Sequence, residues 1–354
     1  MIFFGAGAPT ELGLPTLQDL SKDIFKELKR QGHEEIIDRI TFSLKEFDIK
    51  VDFESVYSIV EGLINPLESI KKAGPFTAYL LKKKDDVPDK KDYKELLIKM
   101  RELLYEKCHL DQSMTQKIKD IYDPLFNSIQ HHNITNNIVF SGSSYSYPLD
   151  TVIASTNYDM SIELYMLSKG ISYIDGFVQR TGTPIINDFA WEQLYQPFNY
   201  LKYHQGKAQH ILLKLHGSIW QFEKEGKMFK TVMDPRTQSP IEIDIGETMM
   251  IFPTKEKEIL SWNYYQFFNC FKKIEWKKLL VIGYSFRDES INRAIIDRMK
   301  LDAETKLIVF NPHPDDVLLN LGESLPDDRV IKIPQYFGTP AGNNAVSNLS
   351  ARGV

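Results

Sequence analysis

"IFFGAGAPTELGLPT", residues 2–16, joins a short apolar run, a turn of small residues and the start of a helical pattern. Ile2–Phe4 offers no polar side chain to water, so it reads as a strand buried on both faces, as in a parallel sheet. Gly5-Ala6-Gly7 ends that run, and Leu17, Leu20, Ile24 and Leu28 follow at helical spacing after Pro15-Thr16. Strand, glycine turn and helix together make the first unit of a doubly wound sheet. Further continuous apolar runs stand at Thr151–Ser155, 211–215, 279–283 and Lys306–Phe310, with weaker ones at 172–177 and Val330–Ile333. The expected fold is α/β, a Rossmann-like, doubly wound, mainly parallel sheet.

The first two strong runs are separated by a stretch of different character. Phe53, Val56, Tyr57, Val60 and Leu63 form an apolar stripe with Asp52 as its N-cap. Leu96, Met100 and Leu103 form another, and Ile118, Ile121, Leu125 and Ile129 a fourth. Residues 17–135 are therefore expected to be a large helical insertion after the first strand, with 1–16 and 136–354 making the sheet domain. The charged run at 82–91 reads as a solvated loop, since Asp85-Asp86 neutralises Lys82-Lys83-Lys84. Turn signals at Asp234-Pro235 and Ser239-Pro240 predict a hairpin or an irregular lobe between Trp220 and Thr254.

Composition excludes several classes. With a net charge of −5 over 354 residues, the chain lacks the basic footprint of a nucleic-acid binder. Cys108 and Cys270 are the two cysteines, too few for a disulfide framework or a four-cysteine zinc site. His131-His132 are adjacent, and neighbours on a helix do not face one ion, so no metal is expected. No apolar run approaches the roughly eighteen residues a membrane helix needs. The start carries no basic segment before a cleavage site. A cytoplasmic protein is expected.

Five motifs fall at the carboxyl ends of expected strands, where ligands sit in open α/β sheets. In the first, Gly5, Ala6 and Gly7 would let a phosphate approach free backbone N–H groups, although the third glycine of a dinucleotide fingerprint comes too late. In "ASTNYD", residues 154–159, Asn157 and Asp159 stand where a ligand would be; Asp159 also suits an Asx turn capping a helix near Met160. "LKLHGS", residues 213–218, places His216 after a strand, as a base or as a buried strand cap. In "VIGYSFRDESIN", residues 281–292, Gly283 and Ser285 could hold a ribose or phosphate, and Asp288 suits an N-cap. In "VFNPHP", residues 309–314, Asn311 closes a strand.

Taken in order, "GAG…GLP", "TNYD", "LHGS", "GYS" and the strand-terminal Asn311 resemble a sirtuin over residues 3–311, most of the chain. The resemblance implies NAD as the ligand, bound by Gly5, Ala6 and Gly7, the last two against the pyrophosphate, and by Thr156, Asn157 beside the nicotinamide ribose and Asp159 near the carboxamide. It implies His216 as the general base, and Gly283, Ser285 and Asn311 along the adenosine half. Thr16-Leu17-Gln18 stands where the protein deacylases carry Asp-Phe-Arg, and Thr156 replaces the usual glutamine. No zinc lobe can form. The remainder resembles the bacterial, anti-phage, defence-associated branch, whose members hydrolyse NAD to nicotinamide and ADP-ribose, often as homo-oligomers and in some cases beside a HerA-type hexameric ATPase. An NAD-dependent deacylase or ADP-ribosyl transferase, a cyclase and a non-catalytic nucleotide sensor remain as alternatives.

Overall fold

The computed structural model describes residues 1–64, 90–131, 136–139, 146–149, 151–179, 186–189, 210–224, 227–231, 248–250 and 262–349. Seven strands form the main sheet: β1 (Ile2–Phe4), β2 (Thr151–Ser155), β3 (Tyr173–Ile174), β4 (His210–Lys214), β5 (Lys278–Ile282), β6 (Lys306–Phe310) and β7 (Val330–Ile333). Their order is β7-β6-β5-β1-β2-β4-β3, and every neighbouring pair is parallel.

The middles of the inner strands are apolar because alternate side chains enter different cores. Phe3, Val152, Ala154, Ile211, Leu213, Leu279, Val281, Leu307 and Val309 pack on one face. There they meet α7 (Trp262–Lys273) and α8 (Glu289–Leu301) through Phe267, Phe271, Ile291 and Ile295. Ile2, Phe4, Ile153, Leu212, Leu280, Ile282, Ile308 and Phe310 pack on the other, against α5 (Thr115–His131), α6 (Ser161–Lys169) and α10 (Pro340–Ser347). A short α9 (Pro314–Leu318) follows β6. This is the Rossmann-like, α/β architecture expected from the continuous apolar runs.

Between β1 and α5 lie α1 (Leu17–Leu28), α2 (Glu34–Glu46), α3 (Phe53–Ile64) and α4 (Lys90–Cys108). Their apolar stripes form a separate core that also takes in Tyr158, Met160, Ile219 and Trp220. The helical segment is thus shared between two cores, because Ile118, Ile121, Tyr122 and Leu125 of α5 face the main sheet. Thr16 caps α1 by accepting from the Asp19 N–H, and Asp52 accepts from the Ser55 N–H at the start of α3. Gly217–Lys224 and Lys227–Thr231 form an antiparallel hairpin inside a second, five-stranded sheet. Residues 82–89, His132, Asp234-Pro235 and Ser239-Pro240 lie outside the described residues. Among the described residues no helix is long and apolar enough to cross a membrane.

Sheet order sets the position of the site. The chain runs from β1 to β2 on one side and returns to β5 on the other. Helices therefore leave the sheet in opposite directions around β1, and a crevice opens at the carboxyl ends of β1 and β5.

Candidate functional site

Two glycine turns meet in that crevice. The ladder continues past the strand ends: the Gly5 N–H donates to Ile282 O at 2.9 Å, and the Gly7 N–H to Gly283 O at 2.8 Å. A Cβ on Gly283 would lie 2.2 Å from Ala8 N and 2.4 Å from Gly7 C, and Gly283 holds a φ of +63°. A Cβ on Gly5 would lie 2.5 Å from Tyr284 Cα. These glycines are needed first so that the two turns can touch each other. The expected close approach of a ligand then falls to Ala6, which is exposed, and to the open side of Gly7.

A cavity of about 330 Å³ opens beside the joined turns, at the lower end of the usual range for ligand sites. Ala6, Gly7, Thr156, Asn157, Asp159, His216, Gly283 and Ser285 all line it. Gly5 and Asn311 do not. Gly5 is buried in the turn contact, and Asn311 Oδ1 accepts from the His313 N–H at 2.9 Å in an Asx turn. The wall also contains residues the motifs did not single out: Glu54 and Cys108 from the insertion, Tyr158, Tyr284, and Arg287 at the exposed lip. Glu54 sits in the first turn of α3 beside Phe53 and Val56, and a buried carboxylate among apolar neighbours is the signal that could have found it.

The turn after β2 is built around Asn157. Ser155 Oγ accepts from the Asn157 N–H at 3.0 Å, and Asp159 Oδ1 accepts from the Ser161 N–H at 2.8 Å. Lys214, buried in β4, donates its ammonium to the Asp159 carbonyl and lies 3.6 Å from Glu163. The turn is therefore held from beneath and on both flanks. Asn157 itself is 5% exposed, yet neither its Oδ1 nor its Nδ2 has a hydrogen-bond partner. Leaving a buried amide unbonded costs about 1–3 kcal/mol per group, so this side chain is set for a ligand.

His216 follows β4, 5% exposed, with Nε2 3.1 Å from Asp288 Oδ2. Asp288 Oδ1 accepts from the Ser290 and Ile291 N–H groups, which is the N-cap expected of it. The contact with His216 is an addition: the two residues stand 72 positions apart, and no spacing rule links them. Tyr158 donates its hydroxyl to Glu54 Oε1 at 2.9 Å, tying the insertion to the Asn157 turn. Burial, and then the Glu54 carboxylate, push the Tyr158 phenol well above its usual range. Burial and the Asp288 carboxylate do the same to Tyr284. Both phenols stay neutral and serve as hydrogen-bonding groups. Among the described residues, no group of three or more His, Cys, Asp or Glu side chains could hold a metal ion.

Residues 151–326 match the SIR2-like domain. The match supports a sirtuin-like family for the chain and NAD-related activity. It begins at β2 and takes in Asn157, His216, Gly283 and Asp288, while the Gly5–Gly7 turn and the helical segment lie before it. No curated protein matches the chain.

Proposed function

We propose that the protein is an NAD glycohydrolase that cleaves the bond between nicotinamide and ribose, giving nicotinamide and ADP-ribose. The observation that carries this reading is the unbonded Asn157 amide, held rigidly in a cavity that also exposes His216 and the joined glycine turns. A ligand of this class fits the residues present. Its pyrophosphate suits the exposed turn at Ala6 and the Arg287 cation, and its ribose hydroxyls suit the two ends of the Asn157 amide.

Bound NAD supplies a cationic pyridinium that leaves with little help from an acid. The protein has then to admit one water, orient it and remove its proton. His216 takes that proton as the water oxygen bonds to the ribose carbon and the bonding pair departs with nicotinamide. A base so placed contributes about 10²–10⁴ in rate. Asn157 fixes the ribose or the water by hydrogen bonding, which is a positioning effect. The carboxylates of Asp159 and Glu54 line the same wall and favour positive charge building on the sugar.

Consumption of NAD in bacterial defence against phage is the role we propose for this activity, with the chain working as a homo-oligomer beside a HerA-type ATPase. The helical insertion reaches the cavity wall through Glu54 and Cys108, so subunit contacts made by its helices would bear on the site.

The test incubates purified protein with NAD and resolves the products by chromatography. His216→Ala and Asn157→Ala are expected to fold, to bind NAD and to lose about 10²–10⁴ in rate, with the double variant losing no more than either alone. Nicotinamide with ADP-ribose marks a hydrolase, and nicotinamide with a cyclic product a cyclase. A His216→Ala protein that releases nicotinamide at the parental rate refutes the mechanism.

A further inference from the structure

The geometry points to Asp288 as the positioning residue that decides which nitrogen of His216 is the base. Its kinetic consequence rests on the hydrolase reading; its structural content does not.

The two carboxylate oxygens of Asp288 are divided between two tasks. Oδ1 accepts from the Ser290 N–H at 3.0 Å and the Ile291 N–H at 3.2 Å, and Oδ2 meets His216 Nε2 at 3.1 Å. Both side chains are buried, 5% and 6% exposed at the contact. The amino end of α8, a helix of 13 residues, favours negative charge where Asp288 sits. The Asp288 N–H donates to the Tyr284 hydroxyl at 3.3 Å.

The loop that delivers this carboxylate is clamped as well. Asn292 Nδ2 donates to Phe286 O at 2.8 Å and to Asn320 O at 2.9 Å, while Asn320 Nδ2 donates to Ser285 O at 2.9 Å. Phe286 is fully buried at a φ of +52°, a left-handed conformation that a residue with a side chain keeps only when its surroundings enforce it. Asp288 cannot drift away from His216 without breaking these bonds.

Hydrogen-bonding capacity fixes the tautomer. An ionised carboxylate accepts only, so a lone pair on Nε2 would leave two acceptors facing each other. Nε2 therefore carries its hydrogen and donates it to Asp288, and the neutral ring keeps its lone pair on Nδ1. In the proposed reaction the proton of water goes to Nδ1, the Nε2 hydrogen stays in place, and Asp288 faces the resulting imidazolium. The division of labour couples a helix cap to a catalytic base: the bond that starts α8 also orients His216.

The test uses the full chain and Asp288→Asn. Asparagine caps helices as well as aspartate does, so its amide oxygen keeps the cap and its Nδ2 turns a donor toward Nε2, forcing the opposite tautomer. The Asn variant is expected to melt with the parent and keep its KM for NAD, while kcat falls by about 10²–10⁴. The second readout is ¹⁵N NMR of labelled histidine at alkaline pH without NAD, with the His216 signals assigned by their loss in His216→Gln. The parent should show a protonated Nε2 and a pyridine-like Nδ1, and the Asn variant the reverse. If the parent cleaves no NAD but shows this tautomer, the hydrolase reading falls and the present inference stands. A parent protonated at Nδ1, an Asn variant with parental kcat, or an effect confined to KM overturns it.

Discussion

The contact between the two glycine turns can be dissected with three alanines, because the glycines differ in what a Cβ would meet. Gly13 has a φ of +86° and nothing within 4 Å, so Gly13→Ala feels the left-handed backbone alone, about 1–2 kcal/mol. Gly7 has no such φ, but its Cβ would lie 2.9 Å from Gly283 O, so Gly7→Ala feels the contact alone, about 1–3 kcal/mol of overpacking. Gly283 combines a φ of +63° with backbone atoms at 2.2 Å and 2.4 Å, neither of which belongs to a flexible side chain. Gly283→Ala should therefore cost about 2–5 kcal/mol, a large part of the usual 5–15 kcal/mol for a domain. Urea unfolding at constant m measures all three. NAD affinity, read by titration, should fall for Gly283→Ala and Gly7→Ala and hold for Gly13→Ala, since the first two form the cavity wall. If Gly283→Ala costs no more than Gly13→Ala, the turns do not touch and the account of the crevice is wrong.

Two further expectations concern buried ionisable groups that the proposed chemistry does not use. Lys230 and Asp175 form a buried pair at 2.6 Å between the two sheets; burial would lower the Lys230 ammonium, but Asp175, Tyr173 and Glu163 outweigh it and hold it above its usual range. Lys230→Met should cost about 3–5 kcal/mol by chemical denaturation, and adding Asp175→Asn should restore part of the loss; a double variant no more stable than the single contradicts this. Burial raises both thiols, Cys108 far above its usual range and Cys270 to about 12, so iodoacetamide at neutral pH should label neither until denaturant is added, and rapid labelling of the native protein would refute it.

The main sheet was legible because its inner strands are buried on both faces. Ile2–Phe4, Thr151–Ser155, Lys306–Phe310 and Val330–Ile333 stand where the apolar runs place them, and β4 and β5 differ by a single residue at each end. The run at 172–177 misleads because Gly176, at a φ of +83°, breaks it, sending Tyr173–Ile174 to one sheet and Phe177–Gln179 to another. Helical stripes were equally readable, but periodicity reports that a face is apolar and not which core it joins, so α5 could not be assigned to the main sheet. In the candidate site, Asn157 and His216, both taken from strand ends, line the cavity. The pairing of His216 with Asp288, the arrival of Glu54 from the insertion, and the use of glycine against glycine all depend on contacts between distant segments, which local patterns do not encode.

The central position of β1 has a consequence for how the chain is made. Phe4 pairs with Ser155 on one side and Ile282 on the other. At roughly 5–20 residues per second of synthesis, β1 waits on the order of 15–60 s for its later partner. The sheet can close only near the end of translation, whereas the helices of the insertion, with a core largely their own, have what they need far earlier. A ribosome-bound chain would thus hold an ordered helical module next to an unpaired Ile-Phe-Phe strand. The hydrogen bond from the Gly7 N–H to Gly283 O cannot form before Gly283 is made, so the crevice would be absent until most of the protein had been synthesised.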